Sequence, residues 1–215
     1  MKRWFVVCAL LVSASAFASG IDGMGRISVG GGFRWVPNWW FQEHAAAAGT
    51  PMLPSIEGGP QGTASFGLGV SSLLEVSIDL LFGYQGFSLG QPDGGKNDFT
   101  VITAGGVLGG RLVGTDVFFK GFMLYLGVGA GPMLAAITSQ SLKVPERSVL
   151  GLSVSGGATY RFADRYGITL EVRYLNGRST VPDISGINVG GVWFSAMFTV
   201  FIPPSLKRDL DVPGF

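Results

Sequence analysis

The chain has one cysteine, Cys8, and one histidine, His44, among its 215 residues. Cys8 falls inside an N-terminal apolar run that reads as an export signal, so the exported chain would carry no thiol. That excludes disulfides, thiol catalysis and cysteine metal sites, and it suits passage through an oxidising compartment. His44 is followed by Ala45 to Ala48 and has no nucleophile motif in local register. A serine–histidine hydrolase or a histidine-based metal site therefore lacks its parts, and no cofactor is implied. Charge is also scarce, at 13% of residues with a formal net of +1. Nothing in that balance favours nucleic acid or a strongly acidic partner. Long apolar runs of helical character are missing too, although 47% of the residues are hydrophobic. Gly121 to Ile137 carries no charge, but Gly127, Gly129, Gly131 and Pro132 make it poor helix material.

What is abundant is alternation. In Val149–Leu175, Leu150, Leu152, Val154, Ala158, Tyr160 and Phe162 share one parity. Gly151, Ser153, Ser155, Gly157, Thr159 and Arg161 share the other. After Ala163-Asp164-Arg165 the pattern resumes, with Ile168, Leu170, Val172 and Tyr174 alternating with Thr169, Glu171, Arg173 and Leu175. A period of two means strands, and a short polar break between two such runs means a hairpin. One face is apolar and ends in aromatics, while the other is small, polar or charged. That is the pattern of a β-barrel in a membrane, apolar toward lipid and polar toward the lumen.

Residues 1–18 read as a cleaved signal peptide: basic Lys2 and Arg3, apolar Trp4 to Val12, then the small-x-small site Ala16-Phe17-Ala18. Its removal takes the formal charge from +1 to −1. The barrel is expected over 19–202, and 203–215, behind Pro203-Pro204, read as a short periplasmic tail. Expected strands run over about 25–36, 63–71, 73–85, 99–113, 117–135, the two arms of 149–175, and 187–202. Long loops are expected at 37–62, 86–98, 136–148 and 176–186, with short turns between the other pairs. The fold class is thus all-β, an eight-stranded antiparallel up-and-down transmembrane barrel. Short turns and both chain ends belong in the periplasm, and long loops outside.

The charges fix the parity. Arg26, Arg34, Glu75, Asp79, Arg111, Arg161, Glu171 and Arg173 all fall on inward positions, and only Lys120 falls outward. Reversal would put those charges in lipid, at about 2–4 kcal/mol for each Arg or Lys at the midplane. An eight-stranded lumen is just wide enough for side chains to fill. Arg34, Glu75, Asp79, Arg111, Arg161, Glu171 and Arg173 are therefore expected to form a structural charge network there, and a gate if the lumen conducts. The inward glycines offset inward bulk, for which Phe119, Tyr125, Trp193 and Phe201 are the candidates. Glu75, Asp79 and Glu171 could be read as catalytic carboxylates, but ion pairing explains them more simply. Ala104–Gly110, AGGVLGG, opens no helix and so is no phosphate loop. Trp35, Trp39, Trp40 and Phe41 sit where the first strand leaves the membrane. They are an interfacial belt or an aromatic anchor for an extracellular ligand.

Three segments, LYLGVGAG at 124–131, GGATYRF at 156–162 and LEVRYL at 170–175, resemble the small eight-stranded outer-membrane barrels of the OmpA/OmpX-like barrel-domain superfamily. The resemblance spans about 25–202. It implies a bacterial outer-membrane location after Sec-type export, lipid as the surrounding partner, and a monomer. It also implies a final strand, here ending at Phe201-Ile202, that is read by the barrel-assembly machinery. The functions it implies are structural or surface-interaction roles through the extracellular loops, or a narrow channel for small or hydrophobic solutes.

Overall fold

The structure is a computed structural model, and it describes residues 20–36, 58–90, 95–139, 143–181, 184–188 and 190–204. The expected signal peptide, the tail from 205, His44 and the aromatics Trp39, Trp40 and Phe41 lie outside the described residues.

Ten strands are present among the described residues: β1 Gly25–Trp35, β2 Gly58–Gly69, β3 Leu74–Gly90, β4 Lys96–Thr115, β5 Phe122–Ser139, β6 Lys143–Ala163, β7 Tyr166–Asn176, β8 Arg178–Val181, β9 Ile184–Asn188 and β10 Gly191–Ile202. Eight of them, β1 to β7 and β10, form a closed barrel in which β10 returns to pair with β1. Every pairing is antiparallel. The remaining two, β8 and β9, form a separate small hairpin between β7 and β10. Closure leaves no open edge at membrane depth, where an unpaired backbone group has no water to bond.

The side chains sort as the alternation requires. Leu108, Leu126, Leu150, Leu152, Val154, Leu170 and Phe198 are exposed on the outer wall. Arg111, Gly127, Ser153, Glu171 and Trp193 are buried inside. A soluble protein rarely exposes an apolar band of this extent, so the outer wall requires lipid as its solvent.

Strand ends differ from the sequence expectation in several places, among them the last barrel strand, which begins at Gly191 instead of about 187. β2 begins at Gly58 and so takes in Pro60, which pairs with Phe33 of β1, whereas pairing with β3 begins at Gln61. Proline is tolerated there because no β3 ladder bond is asked of it. The loops expected at 86–98 and 136–148 are mostly strand, since β3–β4 and β5–β6 continue to 90/96 and 139/143. Their sequences lost the apolar alternation because, beyond the lipid, backbone pairing no longer needs an apolar face. The loop expected at 176–186 contains β8 and the start of β9. Finally, β5 begins at Phe122 instead of Val117. Phe119 is therefore in a turn and 54% exposed instead of pointing inward, and Lys120 is in the same turn.

The chain before β1 closes the bottom of the barrel. Ile21 is 1% exposed and packs with Val113, Met123, Tyr125 and Phe201. It is held there by hydrogen bonds from Gly23 N to Gly69 O (2.9 Å) and from Gly69 N to Met24 O (2.9 Å).

Candidate functional site

The polar lumen is the candidate site, and its residues come from six strands. Glu75 and Asp79 project from β3, Arg111 from β4, Tyr125 from β5, Glu171 and Arg173 from β7, Arg26 from β1 and Ser65 from β2. Antiparallel register brings them to one level. Glu75 is the cross-strand partner of Arg111, and Ser65 that of Asp79.

Six charges form one connected network. Glu75 Oε1 accepts from Arg26 Nη2 at 2.7 Å and from Arg111 Nη1 at 3.0 Å. Arg111 Nη2 is 2.6 Å from Asp79 Oδ1 and 3.7 Å from Glu171 Oε2. Arg173 Nη2 bridges Asp79 Oδ2 at 2.8 Å and Glu171 Oε1 at 2.9 Å. Three guanidinium groups thus face three carboxylates. Burial of charge is tolerable only with such pairing plus further hydrogen bonds. Those bonds are present: Ser65 Oγ donates to Asp79 Oδ1 at 2.6 Å, and the Tyr125 hydroxyl donates to Glu171 Oε2 at 2.7 Å. The Tyr125 ring also meets two cations, with the Arg26 and Arg111 guanidinium carbons 4.9 and 5.1 Å from its centroid. Cation–π contacts of this kind strengthen when desolvated.

A chain of hydroxyls lies alongside this network. Thr159 and Thr169 are 2.8 Å apart, Thr169 and Thr199 2.7 Å, and Ser28 and Thr199 2.9 Å. Toward the extracellular side, Gln61 Nε2 donates to Ser195 Oγ at 2.7 Å.

Two of the expected network members stand apart. Arg34 is fully buried nearer the extracellular end, where it donates to Thr103 Oγ1 at 2.8 Å and Gln85 Oε1 at 3.1 Å. It lies over the Trp193 ring at 5.5 Å. Arg161 is half-buried at the periplasmic end, with its guanidinium 5.8 Å from the Phe201 centroid. The network instead recruits Arg26 and Tyr125. Both have inward parity in the sequence, but nothing local says that they share a level with Glu75 and Glu171. Trp35 lies on the outer wall at 41% exposure, at the end of β1.

Close packing depends on small residues at fixed positions. A Cβ at Gly67 would sit 2.5 Å from the Glu75 carboxyl carbon, and one at Gly157 would sit 2.5 Å from the Tyr125 ring. These glycines are the room into which the charged and aromatic groups fold.

The family model of the outer membrane protein β-barrel domain matches residues 5–196. The chain belongs to that family. It is therefore a bacterial outer-membrane barrel with lipid around its outer wall. Among solved structures, OprG from Pseudomonas aeruginosa matches with a TM-score of 0.58 at 12% identity, covering 84% of this chain and 96% of that one. Neisserial surface protein A matches with a TM-score of 0.51 at 15% identity, covering 83% of this chain and 97% of that one. At these identities the likeness is one of fold. No curated protein sequence matches the chain.

Proposed function

We propose that this outer-membrane barrel is a non-enzymatic, monomeric scaffold that makes its contacts through the extracellular ends of its strands and loops. One observation carries the reading. The lumen is filled from wall to wall by the Arg26–Glu75–Arg111–Asp79–Arg173–Glu171 network, with the Ile21 cluster below it. A hydrated ion crossing this level would have to break several buried ion pairs at once, each costly to separate. The surface left for function is the outside. There β3 to β6, at 17, 20, 18 and 21 residues, outreach the roughly 9–11 residues that a spanning strand needs. Trp35 at the end of β1, with Trp39, Trp40 and Phe41 following it in the sequence, suits an extracellular ligand or an interfacial belt. On this reading the barrel-assembly machinery takes β10 through Phe201 and Ile202.

The test is planar-bilayer conductance of the refolded chain, with folding checked by a heat-dependent gel shift. Silence is expected, together with loss of surface attachment when residues 37–57 are exchanged for a short Gly/Ser linker. Reproducible channel steps, or attachment indifferent to the exchange, would overturn the proposal.

A second reading, a conduit for small apolar solutes, has one observation in its favour. Leu81, Val101, Met133, Ala135 and Leu175 are buried inward. They add apolar wall to the lumen on the extracellular side of the ion network, beside the polar Arg34, Gln61, Gln85 and Thr103. Solute flux across liposomes carrying the folded chain would favour this reading over the first.

A further inference from the structure

The periplasmic end of the barrel is lopsided. The β2–β3 turn, Val70 to Leu73, has two exposed serines at its tip, Ser71 and Ser72. The β4–β5 turn, residues 116–121, instead presents Phe118, Phe119 and Lys120, all exposed. Phe118 is 73% exposed although it lies past the ends of both strands. Two phenylalanines in a water-facing turn forfeit the burial that their apolar area would bring.

The turn is built to hold them there. Asp116 takes φ +54°, Gly121 takes φ +86°, and Gly121 N donates to Asp116 Oδ1 at 2.6 Å. Val117 N donates to Phe122 O at 3.2 Å, and Phe122 N donates to Phe119 O at 3.1 Å. Arg161 N donates to Gly121 O at 2.8 Å, which ties the turn to the end of β6. The rings form one pile: Phe118 and Phe119 lie 5.5 and 5.0 Å from Phe122, and Phe119 lies 5.8 Å from the outward Tyr160. A rigid turn thus carries an aromatic wedge continuous with the lipid-facing wall, with one cation at its tip.

We propose that the 116–121 turn is an interfacial anchor: Phe118 and Phe119 insert at the headgroup–acyl boundary of the periplasmic phospholipid leaflet, and Lys120 engages lipid phosphate. Aromatics favour that boundary, and a lysine stem reaches from it to the headgroups. The turns that flank it round the barrel are polar, with Ser71 and Ser72 on one side and Asp164 and Arg165 on the other, so the anchor draws its own side of the barrel deeper into the membrane.

The test uses the full chain carrying C8S, refolded into phosphatidylcholine vesicles with and without phosphatidylglycerol. Nitroxide labels are placed at V117C and, separately, at S72C. Collision with oxygen reports the lipid phase, and collision with a water-soluble nickel chelate reports the aqueous phase. The expected result is an oxygen-favoured label at position 117 and a nickel-favoured label at 72. F118S/F119S should make the 117 label nickel-favoured. K120E should weaken its insertion, about fivefold more in vesicles containing phosphatidylglycerol than in phosphatidylcholine alone. Equal nickel access at 117 and 72 in the chain with both phenylalanines would overturn the proposal, and that comparison needs no variant of the turn. A label at 117 that ignores F118S/F119S would overturn it as well.

Discussion

Arg111 and Asp79 are not cross-strand partners, yet Arg111 Nη2 lies 2.6 Å from Asp79 Oδ1. In the β3–β4 ladder Arg111 stands opposite Glu75, and Asp79 stands opposite Val107. Arg111 therefore spans two levels of β3, binding its own partner through Nη1 and the next acid along the strand, four residues on, through Nη2. It is the member on which the other charges depend.

R111M should consequently destabilise the barrel by about 3–5 kcal/mol, because it leaves Glu75 and Asp79 short of their shared cation in a buried site. Urea unfolding in lipid vesicles, followed by tryptophan fluorescence, measures this. Combined replacement of Arg26, Glu75, Arg111 and Asp79 by apolar residues of similar volume, which leaves the Arg173–Glu171 pair in place, should cost much less than R111M alone. The penalty arises from orphaned charge more than from the pairs themselves.

G157V should cost about 1–3 kcal/mol through overpacking, since its Cβ would meet the Tyr125 ring at 2.5 Å. Y125L in the same chain should recover part of that loss. A purely backbone effect of the substitution would leave the two changes additive, which a double-mutant cycle distinguishes.

The outer wall should respond to charge by depth. L152R, on the outward face of β6, should cost about 2–4 kcal/mol if its level lies near the midplane. Y160R, at the periplasmic end of the same strand, should cost about 0–1 kcal/mol. Paired unfolding titrations of the two variants check the gradient.

G121A should weaken the β4–β5 turn by about 1 kcal/mol or more, because it requires a non-glycine residue at φ +86° with its Cβ 2.6 Å from Arg161 O. D116A, which removes the acceptor for Gly121 N, should act in the same direction. Thermal unfolding read by circular dichroism measures both.

The parity of every barrel strand was legible in the sequence because lipid and lumen impose opposite demands on adjacent residues. Ile168, Leu170 and Val172 could face only one way once Glu171 and Arg173 faced the other. Levels within the lumen were not legible. Arg34 and Arg173 are both inward arginines, but strand stagger sends one to Gln85 and the other to Asp79. Strand ends were hidden for a different reason: outside the lipid β6 keeps its pairing with β5 at Val144 and Arg147 without any apolar alternation. The turn holding Phe118 and Phe119 reads as strand in the sequence because its apolar residues continue the period of β5.

The unequal strands have a dynamic consequence. β6 has 21 residues and its neighbour β7 has 11. At about 3.3 Å per residue, the excess is about 33 Å of strand. The β6–β7 ladder begins at Leu152, and the β2–β3 ladder stops at Gly83. Past those points β3 to β6 continue as a four-stranded ridge joined to the barrel along one side. Amide exchange should therefore resolve two units in one chain. The closed belt would open only with global unfolding, while the ridge would open locally in water and exchange far faster. A partner arriving from outside the cell would meet the softer unit first, and could order it on contact without disturbing the membrane-bound one.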